Sequence, residues 1–333
     1  MRRTVSIGHM LAAFALMSVL ASCEHRILTD PKDNHYIRVY LDEEIRNVTC
    51  GIYNEAYDRP EYRPPVNLRA ALADPQTGEV LMEYILRGNG QDEGGRYIDG
   101  YIAAPVGRYS LVIHEMGLPS TKIRNMYDYS SMHAYTDPAD GVAMREPDHM
   151  FYDMCDVVNV RYSQHVDTLY NDKGEHFRAG SIALSYFLQL KIKGISWATS
   201  ASARMSGMAG SSMMNRHGGM VETDPVQVFF QMKAADVKRN AGPEASTAVL
   251  YATFNTFGKI YGQNTTLSLD FLKTDGSYQT EEIDITDMFD TPTVKEKQWI
   301  LIEREIEITK PDGTGGMRPG VDGWKDEISD VPM

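Results

Sequence analysis

Cysteine, tryptophan and long helical periodicity are all scarce in this chain, and each scarcity removes a class of function. The 333 residues include three cysteines, Cys23, Cys50 and Cys155, and no Cys-x-x-Cys pair. That excludes a zinc ribbon and a thioredoxin-like dithiol. The nine histidines stand at neither His-x-His nor His-x-x-x-His spacing, so a zinc-enzyme site has no ligand pattern. The Asp/Gly turns at 74–78, 172–174 and 275–276 lack the alternating acids of a calcium loop and read as turns. No Gly-x-Ser-x-Gly elbow, phosphate-binding loop or dinucleotide fingerprint occurs. Trp197, Trp299 and Trp324 are too far apart in sequence to form an evident stacking platform. Positive charge is also short. The net charge is −13, and it becomes two units more negative once Arg2 and Arg3 are removed, which argues against nucleic acid as a partner.

What is present starts at the N-terminus. Arg2 and Arg3 form a positive head, and Val5–Leu20 is an acid-free apolar stretch. Polar sequence follows at once, and the stretch is too short for a permanent span. Next comes Leu20-Ala21-Ser22-Cys23, which resembles the bacterial lipobox. A large aliphatic residue and two small ones present the cysteine to a peptidase after its thiol has taken up diacylglycerol. Residues 1–22 are therefore read as a lipoprotein signal peptide, and Cys23 as the lipidated first residue of the mature chain. More than one acyl chain makes such an anchor stable, since each buried methylene contributes ~0.8 kcal/mol. Cys50 and Cys155 then remain as a candidate disulfide, with two buried thiols as the alternative.

Residues 23–35 read as a polar lipidated tether. Beyond them the hydrophobic pattern alternates with the period of strands. Ile37, Val39 and Leu41 share a face, and Val66–Ala73 and Glu79–Leu86 flank the turn Asp74–Gly78. Arg96–Ala103, Arg108–Glu115 and Asp156–Arg161 are further strands, Ser120–Tyr135 has room for one more, and 137–148 reads as a loop. After the turn Asn171–Gly174 a second set comprises Ser181–Lys193, Val226–Met232, Ala248–Phe257, Leu267–Leu272, Tyr278–Ile285 and Lys297–Thr309. Asp275-Gly276 is the strongest hairpin signal. Short strands with frequent turns predict an all-β chain of two antiparallel β-sandwiches, 36–165 and 175–309. Residues 310–333, rich in Gly, Pro and acids, read as a flexible tail.

Other candidate groups read as structural. His149 and His217 fall in loop-like sequence and are expected to be solvated. Ser206-Gly207-Met208-Ala209-Gly210 lacks the strand–turn–helix context of a nucleophile loop. Met205, Met208, Met213, Met214 and Met220 are expected to pack over the end of the second sandwich, with an adaptable binding surface as the alternative.

Several segments in order resemble fimbrillin-like lipoproteins of Bacteroidales-type bacteria, a group similar to the fimbrial anchor subunits of those organisms. They are the lipobox with Glu24-His25-Arg26, Val106-Gly107-Arg108-Tyr109, Glu146-Pro147-Asp148, Ser206–Gly210 and Asp284-Ile285-Thr286-Asp287 before the final strand. Together they cover residues 20–309. The resemblance implies tandem transthyretin-like sandwiches in a non-enzymatic subunit without a cofactor. It also implies attachment to the outer membrane through the lipid on Cys23, with fimbrial subunits as partners. In polymerising relatives a strand is cleaved off after an arginine and replaced by a neighbour's strand, whereas anchors keep their first strand and lipid. Arg38 and Arg46 are the arginines to inspect in this respect. A surface lipoprotein that binds glycan or protein without polymerising is the alternative.

Overall fold

The computed structural model describes residues 34–42, 63–139, 143–163, 165–215, 219–222, 224–239 and 242–311. The residues read from the sequence as signal peptide, lipobox and tether (1–33, with Leu20, Ala21, Ser22 and Cys23), Arg46, Cys50, His217 and the residues beyond Pro311 lie outside the described residues. No helix among the described residues is long and apolar enough to cross a membrane.

The first half contributes β1 (Asn34–Leu41), β2 (Leu68–Ala73), β3 (Val80–Leu86), β4 (Gly88–Asp92), β5 (Gly95–Ala103) and β6 (Gly107–Glu115). It continues through β7 (Thr121–Arg124), β8 (His133–Thr136), β9 (Met144–Arg145), β10 (Phe151–Val160), β11 (Asp167–Thr168) and β12 (Phe177–Ser181). The second half holds β13 (Leu184–Lys193), β14 (Ala198–Ala209), β15 (Ser211–Met213), β16 (Gly219–Met220), β17 (Pro225–Lys238) and β18 (Thr247–Thr256). It closes with β19 (Thr266–Lys273), β20 (Tyr278–Asp284), the short helix α1 (Pro292–Lys297) and β21 (Trp299–Glu307).

The fold is all-β, as the alternation predicts, but the sheets are mixed rather than antiparallel. The first runs β3-β2-β6-β10-β12-β1-β5-β4, with β11 also pairing β1. The second runs β20-β19-β14-β17-β18-β13-β21, with β9 on β17. β1 lies parallel to β12, and β21 lies parallel to β13. Pairing partners distant in sequence leave no local signature, so the parallel pairs are invisible to the period of the pattern. The turn at 171–174 joins β11 to β12, and both lie against β1. Phe177–Ser181 is thus a strand of the first sheet, although the sequence assigns it to the second set.

Each half has its own core. Ile37, Val39, Leu72, Ile98, Leu111, Phe151 and Phe177 are buried in the first. Leu188, Leu190, Ala203, Phe230, Phe254, Leu269 and Ile300 are buried in the second. A third cluster takes residues from both halves: Val112, Met132, Ala134 and Met150 pack with Ala209, Met214, Phe257 and Ile260. Above it β16-β15-β8-β7 form a small sheet that crosses between the halves. Four of the five methionines therefore pack in or against the interior, while Met213 is half-buried in β15. Met205 and Met208 lie in the second core, and Met214, with Met220 packed against it, fills the shared cluster.

Ser206–Ala209 is the end of β14, with Gly210 just beyond it, and the small residues of 198–209 conceal this strand in the sequence. At its bulge Gly207 adopts φ +73°, and a Cβ there would come 2.7 Å from the Asn264 carbonyl. Ser206 Oγ accepts from the Thr266 amide at 2.8 Å, which ties the bulge to β19.

Candidate functional site

The first strand is the element on which the anchor and stalk alternatives turn. β1 alternates between buried and half-buried residues along its whole length. Ile37, Val39 and Leu41 point into the first core. On one side β1 is antiparallel to β5 from Asn34–Ala103 to Tyr40–Tyr97. On the other it runs parallel to β12 from Val39–Phe177 to Leu41–Ala179. It is therefore an interior strand with both backbone edges engaged.

Its outward side chains form a cross-strand lattice. Tyr36 faces Tyr101, Arg38 faces Asp99 and Tyr40 faces Tyr97. The paired rings meet edge to face at 5.7 and 5.8 Å. The Arg38 guanidinium sits 4.0 Å over the Tyr97 ring and donates to Asp92 at 2.7 Å. Its Nε donates to the Tyr36 hydroxyl at 3.1 Å. Hydrogen bonds to Tyr40 and then Tyr36 hold its pKa above the already high arginine value. Burial, followed by the hydrogen bond to Asp99, raises the Tyr36 phenol. Gly90 and Gly94 lie beneath this lattice. A Cβ on Gly90 would stand 2.4 Å from the Tyr97 ring, and one on Gly94 would stand 2.8 Å from Tyr40. The bare backbone lets both rings lie against the sheet. Tyr170 and His176 extend the aromatic row, with centroids 5.0 Å apart.

The segment Glu146–His149 joins the halves. The Asp148 carboxylate accepts from the amides of Ser120 and Thr121, both at 2.7 Å. Glu146 Oε2 accepts from the Asn255 amide at 2.9 Å, and Asn255 Nδ2 donates to the Pro147 carbonyl at 3.0 Å. His149 stands between two serines, with Nδ1 2.9 Å from Ser181 Oγ and Nε2 2.9 Å from Ser185 Oγ. Ser185 donates to Asn255 Oδ1 at 2.7 Å. Burial pushes Glu146 up to about 7 and Glu115 up to about 7, and the nearby Asp148 charge adds to both. Burial also depresses His149.

His149 is thus a joint between the halves, contrary to the solvated loop residue that the sequence suggests. Ser181 and Ser185 come from β12 and β13, which is why local sequence does not disclose them. A serine beside a histidine nitrogen also suggests a nucleophile and its base. Ser185, however, is buried, and its hydroxyl is engaged by Asn255.

A second missed group lies on the opposite face of β2. Arg69 is 1% exposed, pairs with Glu83 and has Nη1 3.0 Å from His114 Nε2. Burial holds His114 down at about 4. The alternation of β2 gave no sign of it, because a buried arginine there breaks the apolar pattern.

Of the sequence-predicted site residues, Cys155 is described. It is buried in the first core, and its thiol donates to the Val157 carbonyl at 3.5 Å. Cys50, its candidate partner, and the lipidation residues Leu20, Ala21, Ser22 and Cys23 lie outside the described residues.

No protein-family profile matches the chain. A curated relative from Bacteroides ovatus, "Putative fimbrium anchoring subunit Fim4B", is 25% identical over 269 residues, 70% of this chain and 79% of its own length. A solved structure described as a "putative adhesin" of Bacteroides ovatus superposes with a TM-score of 0.58 at 18% identity, covering 87% of this chain and 98% of that one. The fimbrial anchor protein Mfa2 of Porphyromonas gingivalis gives a TM-score of 0.48 at 12% identity, over 82% of this chain and 90% of its own. The resemblance read from the sequence is met by the Fim4B relative, and the all-β fold is shared with the first of these solved structures.

Proposed function

We propose that this chain, a relative of the fimbrial anchor subunits and adhesins of Bacteroidales, is a non-enzymatic lipoprotein that anchors or accompanies a fimbria at the outer membrane. The observation that carries this reading is the sequence likeness to the fimbrium anchoring subunit over 70% of the chain. In the proposed arrangement Cys23 carries the lipid, and the two halves act as transthyretin-like sandwiches. An edge strand of one sandwich exchanges main-chain hydrogen bonds with the adjoining subunit.

The setting of β1 favours anchor over stalk. A subunit that gives up its first strand needs that strand to leave readily. Here β1 is bonded on both sides, and its inward residues are fully sequestered. Keeping β1 also keeps whatever precedes it attached to the fold.

A second reading, a glycan-binding lipoprotein, is favoured by the tyrosine-rich outer face of β1 and β5. One experiment separates the two: recovery of partners from gently solubilised outer membrane for the native protein and a Cys23→Ala variant. The anchor reading expects SDS-resistant pilin ladders with the native protein and fibres shed into the medium by the variant. Recovery alone, or with components of a glycan importer, overturns it in favour of the second reading.

A further inference from the structure

Four large apolar side chains stand exposed at one end of the first half, and strand register defines that end. Asn34, the start of β1, pairs with Ala103 at the close of β5. Residues 104–106 lead from there into β6, whose first residue, Gly107, pairs with Val160, the last of β10. From β10 the chain passes to β11, where Asp167 pairs with His35, next to the starting point. These connections form a circuit around the entry of β1.

On this circuit Tyr101 is 62% exposed, Val106 62%, Tyr162 64% and Val166 54%. Apolar residues scattered singly over a surface need no explanation, but a group of them around one point marks an interaction site. The charged neighbours are Arg108, Arg161, His165 and Asp167, all exposed. The Asp167 carboxylate accepts from the Thr168 amide at 2.9 Å. Asp74, on the adjoining turn after β2, accepts from the amides of Gln76 and Thr77. Two guanidinium groups are thus presented outward beside the apolar group.

The junction with the second half lies at the other end of the same strands. Glu115 closes β6, Phe151 opens β10, and Phe151 pairs with Ser181, where β12 hands the chain on to β13.

We propose that the end around the entry of β1 rests on the lipid leaflet that holds the anchor. Tyr101, Val106, Tyr162 and Val166 enter the headgroup region, and Arg108 and Arg161 meet lipid phosphates. The inference rests on the lipoprotein reading. Asn34 stands eleven residues after Cys23, so an acylated Cys23 keeps the start of β1 within roughly 40 Å of the membrane. Such a tether gives the patch a high effective concentration at the surface, and a patch too small to bind lipid unaided is held there. Tyrosine suits this boundary, with its ring on the apolar side and its hydroxyl in water. Arginine pairs with phosphate through two parallel hydrogen bonds. The net charge of −13 repels anionic headgroups from the molecule as a whole, which confines contact to the end where these cations stand. The second half, joined at the opposite end, then projects away from the membrane.

The test reads depth in the lipidated full chain, reconstituted in phosphatidylethanolamine–phosphatidylglycerol vesicles with brominated acyl chains. Val106→Trp places a probe at this end. Val66→Trp is the control, because Val66 is 79% exposed and precedes Leu68, which pairs with Glu115 at the junction end. The emission that Val106→Trp adds to the parent is expected to be quenched several-fold more than that added by Val66→Trp. Loss of both arginines, Arg108→Gln with Arg161→Gln, should lower this quenching several-fold. Equal quenching of the two probes overturns the proposal, and so does quenching that is unchanged without the arginines. The mass of the N-terminal peptide is measured on the same protein. An unacylated Cys23 defeats the lipoprotein reading and this inference with it, whereas an acylated Cys23 with equal quenching defeats this inference alone.

Discussion

At the residue scale, the informative groups are polar side chains held where water is scarce. Glu146 is the clearest, since its carboxyl accepts the Asn255 amide across the junction. Its folded pKa of about 7 lies above the ordinary carboxylate value because burial penalises the charge. The contribution of such a group to stability is full below the unfolded pKa and is lost as pH rises through 7. Glu115 acts in the same sense. His114 and His149 act in the opposite sense, because their depressed values favour the fold only above the unfolded histidine pKa. A Glu146→Gln variant keeps an oxygen for the Asn255 amide and removes the ionisation. It should gain about 1–3 kcal/mol over the parent at pH 8 and little at pH 5. Urea unfolding of both proteins at the two pH values checks this, and an equal difference at both would show that Glu146 is not the titrating group. The sequence marked Glu146-Pro147-Asp148 as a segment but could not supply its partners, because Ser120 and Thr121 come from one distant place in the chain and Asn255 from another.

At the scale of elements, strands were legible where large apolar residues alternate with polar ones, as in β1, β5, β6, β18 and β19. They were illegible where the buried set is small. β14 buries Ala198, Ala201 and Ala203 before Met205, so its inward face reads as weakly apolar. β4 carries Gly88 and Gly90 outward and offers no pattern at all. The pairing of β1 with β12 also lay beyond reach of the sequence, and it decides how exposed Arg38 is to proteolysis. A protease must draw an extended segment into its cleft, and β1 is held on both sides. Native protein should therefore resist trypsin after Arg38 under conditions where unfolded chain is cut there within minutes. Mass spectrometry of the digest reads this directly, and rapid native cleavage at Arg38 would favour the stalk role.

At the scale of the molecule, the sequence correctly indicated an all-β chain in two sets of strands. It did not indicate that the sets share a cluster and a small sheet. Met132 precedes β8 and is 0% exposed, packed among residues of both halves. Its carbonyl accepts from the Met214 amide at 2.9 Å. Trp197 packs against the second core and Trp299 lies in β21, so their fluorescence reports the second half. Truncation in a close-packed core costs about 2–5 kcal/mol. Met132→Ala should therefore shift the tryptophan-detected melting curve together with the far-ultraviolet signal. A tryptophan transition that stays in place would show that the halves unfold independently.

The position of β1 has a mechanical side. A pull transmitted to Asn34 from the preceding chain acts along the strand axis. The bonds to β5 and β12 run across that axis, from Asn34–Ala103 to Tyr40–Tyr97 and from Val39–Phe177 to Leu41–Ala179. The load is shared by both ladders together, and rupture requires β1 to slide past two neighbours at once rather than peel from one.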